Sequence, residues 1–110
     1  MLKGAIGTRY SALGSERGVL GYPTAEERCG LKDRGCVQVF QKGRIYWSPK
    51  TGVQSVNGAI GTRHLQLGAE RSRLGYPTSG EYRSGTTTAQ NFQGGKITWS
   101  SRAGVRVTYR

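Results

Sequence analysis

Two rhythms of apolar positions alternate along the chain. Ile6, Tyr10 and Leu13 stand at i, i+4 and i+7, the spacing of one helix face, and Ile60, His64 and Leu67 stand at the same intervals. Gly14 and Gly68 come directly after, placed as left-handed C-terminal caps. Helices this short, with Gly7 or Gly61 in the first turn, need tertiary packing to persist. The period then changes. Leu20-Gly21-Tyr22-Pro23 cannot continue a helix, because proline fixes its own backbone and drives Tyr22 towards an extended conformation. Val37, Val39 and Phe40, a turn at Gln41-Lys42-Gly43, and Arg44-Ile45-Tyr46-Trp47-Ser48 read as a β-hairpin. On the returning strand Ile45 and Trp47 share one face, and Arg44, Tyr46 and Ser48 share the other. A short third strand follows around Val53.

The chain says all of this twice. Leu74-Gly75-Tyr76-Pro77-Thr78 repeats Leu20 to Thr24 at an offset of 54, and Gly58-Ala59-Ile60-Gly61-Thr62-Arg63 repeats Gly4 to Arg9 at the same offset. Past Phe40 the offset drops to 52, so that Phe92 to Ser100 answers Phe40 to Ser48 and Gly104-Val105 answers Gly52-Val53. The first copy therefore holds two extra residues between these blocks. Such repeats set the reading of the whole fold. The expected fold is α+β, a tandem pair spanning residues 4–57 and 58–110. Each unit is a short helix, then a hairpin, then a short third strand. With no linker at Asn57-Gly58, and neither half large enough to bury a core alone, the 110 residues are expected to form one compact domain. Leu20 and Leu74 are expected to plug the core; Tyr22 and Tyr76 either pack or line a groove. Copy two has Thr98 where copy one has Tyr46, so the Tyr46 face is expected to point outward and Trp47 and Trp99 to fill the core.

These ordered segments resemble the LGFP repeat: Leu-Gly-Tyr-Pro, then Phe-x-x-Gly-x-Ile-Tyr-Trp-Ser-Pro-x-Thr-Gly, preceded by the helical Ile-x-x-x-aromatic-x-x-Leu-Gly segment. The resemblance covers nearly the whole chain, twice. It implies a secreted, wall-associated protein of the actinobacterial kind, in which such repeats anchor a chain to the cell wall. It also suggests a wall glycan, arabinogalactan or peptidoglycan, as partner. Arrays of this family usually hold more than two repeats, so a homodimer or additional repeats completing the array is a second expectation.

Composition adjusts this picture. The formal charge is +11, from 17 Lys and Arg against 6 acids, and it is distributed over both copies. Such a surface attracts polyanions, whether wall polymer or nucleic acid, or simply confers solubility. No recognised nucleic-acid motif is present, and the basic residues fall mainly in loops and strands, so nucleic acid is the less favoured partner. No apolar run approaches the roughly 18 residues of a membrane span. Met1-Leu2-Lys3-Gly4 enters the repeat directly, leaving no room for a signal peptide, which points to a piece of a longer secreted protein or to a chain that works where it is made. Cys29 and Cys36, with six residues between them, fit no zinc spacing; a local disulfide is expected, with free thiols as the alternative.

Nothing in the spacing calls for a cofactor, metal or catalytic group. His64, the single histidine, occupies the position of Tyr10 and reads as an aromatic-sized filler. Glu16-Arg17 and Glu70-Arg71 read as solvated pairs worth little. The expected activity is binding without catalysis. Candidate ligand-binding residues are the exposed polar or aromatic types found in both copies, Arg9 and Arg63, Tyr22 and Tyr76, Gln41 and Gln93, Arg44 and Lys96, with Tyr46 as an extra in copy one. Two equivalent weak sites would gain by effective concentration on a repetitive polymer.

Overall fold

The structure, a computed structural model, describes residues 20–110 together with Ile6, Tyr10, Gly14 and Gly18. The sequence readings at Gly7, Arg9, Leu13, Glu16 and Arg17 lie outside the described residues. Ile6 and Tyr10 have helical backbone. The remaining elements are β1 (Arg28–Cys29), β2 (Cys36–Val39), β3 (Gly43–Ser48), β4 (Gly52–Asn57), α1 (Gly58–Gln66), β5 (Tyr82–Ser84), β6 (Thr87–Phe92), β7 (Gly95–Ser100) and β8 (Gly104–Tyr109). The strands form two antiparallel sheets, β1-β2-β3-β4 and β5-β6-β7-β8, so the fold is mixed α+β in two units. The helix α1 ends as its sequence implies: Gly68 just beyond it has φ 113°.

Two details of the expected unit change. Each sheet has a fourth strand, β1 or β5, paired to the outer side of β2 or β6. These edge strands are short and exposed and carry no apolar alternation for a sequence reading to find. The closing strands β4 and β8 are not short; each pairs over six residues with its neighbour.

The units stack as layers. On one face of the first sheet, Cys36, Phe40 and Ile45 pack with Ile6, Tyr10 and Leu20 of the same copy. On the opposite face, Val37, Tyr46 and Val56 pack with Ile60, Ala69, Leu74, Tyr76, Phe92 and Ile97, all from the second copy. The helix α1 thus lies between the sheets and serves both. Leu20 and Leu74 are fully buried, as expected of core plugs.

This layering corrects the expected face of Tyr46. The residue is 2% exposed, because the second copy covers the face on which it stands. Thr98, at the matching place on the second sheet, is half-buried. Trp99 is corrected in the opposite sense. It is 39% exposed rather than core, whereas Trp47 packs against the first copy's apolar cluster beside the disulfide. Arg83 and Thr88, which stand in the second sheet at the places of Cys29 and Cys36, leave the Trp99 row open.

Cys29 and Cys36 face each other across β1 and β2 and are joined by a disulfide. The loop this bond closes contains the two residues by which copy one exceeds copy two: six residues lie between Cys29 and Cys36, and four between Arg83 and Thr88.

Candidate functional site

The Leu-Gly-Tyr-Pro segment is fixed identically in both copies. Pro23 and Pro77 bridge to Phe40 and Phe92. The amides of Tyr22 and Tyr76 donate to Oε1 of Gln41 and Gln93, at 3.0 Å in each case. A β-carbon on Gly21 or Gly75 would meet that same Oε1 at 2.5 Å, and both glycines have positive φ, so glycine is required twice over. Gln41 and Gln93 therefore hold the turn onto the hairpin, and their side-chain oxygens are already engaged.

From the other side, each helix reaches the same motif. The Tyr10 hydroxyl donates to the Gly21 carbonyl at 2.9 Å, and His64 Nε2 lies 2.8 Å from the Gly75 carbonyl. Tyr10 stacks on Phe40 and His64 lies against Phe92. His64 must carry its proton on Nε2 to make this bond. Burial pushes its pKa down to about 4, with the Arg44 charge adding to the effect, so it is neutral at pH 7. It is a filler, as expected, and a hydrogen-bond donor as well.

Between the copies lies a polar seam. The Tyr76 ring is fully buried, and its hydroxyl donates to the Lys32 carbonyl in the disulfide-closed loop. Arg44 is 8% exposed; it donates to the Tyr46 hydroxyl and, at 2.8 Å, to the Gly61 carbonyl of α1. The Tyr46 and Tyr76 hydroxyls are pushed up to about 12, chiefly by burial, so neither ionises. Gln90 spans the seam too, donating to Ser55 at 2.8 Å and Ser79 at 2.9 Å. Gln38 stands at its place in copy one and donates to the Ala25 carbonyl. A Gln-x-Phe pair in both copies was the signal for these two buried polar residues.

The candidate binding residues therefore divide. Arg44, Tyr46 and Tyr76 are buried in the seam, and of the three Arg44 alone also lines the cleft described below. Gln41 and Gln93 tie the turns. Arg9 lies outside the described residues. Tyr22, Arg63 and Lys96 remain open to solvent, Tyr22 at 60% exposure, whereas the Tyr76 hydroxyl is held by the Lys32 carbonyl of the first copy. The stack thus makes repeat-equivalent residues differ. Lys96 is exposed where Arg44 is buried, and Tyr22 is exposed where Tyr76 is buried.

Two surfaces are left for function. The exterior is cationic: of the fourteen described Lys and Arg residues, thirteen are exposed. On the second sheet these cations stand near open rings. Tyr82, Asn91, Lys96, Thr98 and Arg106 share one face, with the Tyr82 hydroxyl fixed on Asn91 Oδ1 at 2.8 Å, and Arg83 and Trp99 share the other. The second surface is a cleft of about 340 Å³ where the first hairpin turn meets the start of α1. Lys42, Arg44, Asn57, Gly58, Gly61 and Thr62 line it, with Leu65 as an apolar wall. It requires a hairpin from one copy and a helix from the next, which is why the sequence of a single unit does not announce it. Among the described residues no helix is long and apolar enough to cross a membrane.

Comparison with known families finds one match. The model of the LGFP repeat covers residues 20–72 and 74–110. Each matched segment opens at a Leu-Gly-Tyr-Pro segment, and the first runs through the helix that follows its sheet. No match is found among the curated proteins.

Proposed function

Because the chain belongs to the LGFP repeat family, we propose that it is a non-catalytic module that binds a cell-wall glycan, arabinogalactan or peptidoglycan, outside the cell. The observation that carries this reading is the second sheet, where Tyr82 and Trp99 stand exposed among Lys96, Arg106 and Arg83. Aromatic faces stack on sugar rings, and Arg, Lys and Asn donate to hydroxyls or to acidic substituents. The Cys29–Cys36 disulfide suits an oxidising, extracellular setting.

A pull-down on purified wall fractions, with arabinogalactan removed stepwise and at low and high salt, tests the reading. Retention at high salt that disappears with one glycan layer is the expected result. Binding that collapses at moderate salt on every fraction, and on DNA equally, overturns it in favour of a simple polyanion binder.

A further inference from the structure

We infer that the cleft between the two copies is an anion site, and that it takes a carboxylate or phosphate group carried by the bound glycan. The inference rests on the glycan-binding reading for its ligand, but its geometry stands apart. Arg44 is a buried cation whose direct partners, the Tyr46 hydroxyl and the Gly61 carbonyl, are both neutral. Among the described residues no carboxylate pairs with it. A buried charge is normally compensated by an opposite one. A guanidinium has five N–H donors, and two bonds leave donors to spare.

Three further observations converge on the same cleft. Lys42 lines it and is exposed, adding a second positive charge on a flexible stem. Asn57 stands at the N-cap of the nine-residue α1, yet its side chain makes no capping hydrogen bond. The first turn of that helix, at the positive end of the helix dipole, therefore has no side-chain acceptor from its N-cap, and its first residue, Gly58, lines the cleft. Gly58 lines this end with open space where a β-carbon would stand, so a ligand can approach the backbone closely there. Among the described residues no acidic side chain lines the cleft. Leu65, 58% exposed, offers an apolar flank on which a sugar ring carrying the anion can rest. Among the described residues the cleft is built from the first copy's hairpin turn and the second copy's helix.

Titration of the full chain with glucuronate, glucose 1-phosphate and glucose at fixed ionic strength, followed by amide chemical shifts, tests this. The expected result is saturable shifts centred on Lys42, Gly58, Gly61 and Thr62 with one or both anions and none with glucose. The tighter anion identifies the group. Lys42→Ala, a surface change that leaves the core intact, is expected to weaken that binding about tenfold, the worth of one charge-assisted bond. Arg44→Gln is expected to abolish it; should that variant unfold, Lys42→Ala decides alone. Shifts scattered over the exposed cations, or equal shifts with glucose, overturn the inference. If Lys42→Ala binds wall fractions and both anions as the parent does, the cleft inference fails while the glycan reading survives. If the anions fill the cleft but no wall fraction is retained, the glycan reading fails and the anion site stands.

Discussion

The Tyr76 hydroxyl occupies the place that a β-carbon on Gly35 would take: the two would be 1.8 Å apart. Gly35 has φ −82° and ψ 166°, a conformation that any residue adopts, so its glycine is required by the neighbour and not by the backbone. One copy thus holds an empty spot for a ring from the other. Gly35→Ala is expected to destabilise the fold by about 1–3 kcal/mol through overpacking. Tyr76→Phe, which leaves the Lys32 carbonyl without its donor, is expected to cost about 1 kcal/mol. Tyr22→Phe at the matching exposed position is expected to lie within about 0.5 kcal/mol of the parent. Urea unfolding of the three variants checks the series; equal costs for Tyr22 and Tyr76 would contradict the stacked arrangement.

The disulfide acts on the same socket. Closing an eight-residue ring stabilises by about 2.5 kcal/mol on the chain-entropy model. The Cys29→Ser/Cys36→Ser double variant is expected to lose about that much in guanidinium unfolding. Since the closed loop presents the Lys32 carbonyl to Tyr76, a further consequence is coupling. Tyr76→Phe is expected to cost less in the disulfide-free background than in the parent, and strict additivity in the double-mutant cycle would show that the loop holds its shape without the bond.

His64 sets an acid limit. In the unfolded chain it takes a proton near its ordinary pKa of 6.5, whereas burial lowers the folded value to about 4. Above pH 6.5 both states are neutral at this site and it contributes nothing to pH dependence. As pH falls from 6.5 towards 4, the unfolded state binds the proton first, so stability is lost across that window, by up to about 3 kcal/mol. Copy one performs the same task with Tyr10, which does not charge. His64→Tyr is therefore expected to keep the bond to Gly75 and flatten the stability profile between pH 6.5 and pH 4. A variant that retains the parent's acid slope would place its origin elsewhere.

Much of the unit could be read from the residues, since its signals are local. The helix face at Ile60 and His64, the cap at Gly68, the break at Pro77 and the hairpin about Gln41 and Lys42 each follow from chemistry within a few positions, and duplication made them legible twice. What could not be read was which copy covers which. Tyr46 and Thr98 hold equivalent places on equivalent strands, and only the stacking order makes one core and the other surface. The inference from Thr98 to an outward Tyr46 failed because it treated the copies as having the same neighbours. For the same reason the candidate pairs Arg44 with Lys96 and Tyr22 with Tyr76 split between seam and exterior. The cleft at Lys42 and Gly58 joins residues of two copies, so no single-copy motif encodes it.

The stacking order also explains why the second sheet is polar where the first is not. Val37, Tyr46 and Val56 on the covered face of the first sheet become Ala89, Thr98 and Thr108 on the open face of the second. A polar face gives a second molecule no apolar surface to bury. Placing the first copy's residues there with Thr98→Tyr and Thr108→Val would expose an apolar patch on a flat sheet face, an association site, while Ala89 is already buried. Two such faces can meet by a two-fold operation, each burying the other's patch. The double variant is expected to gain mass with concentration in sedimentation equilibrium, while the parent holds a constant mass over the same range. The variant is also expected to keep the parent's folded spectrum, because neither side chain belongs to the core cluster at the seam. Identical, concentration-independent masses for parent and variant would refute the role of Thr98 and Thr108 in keeping this face from associating.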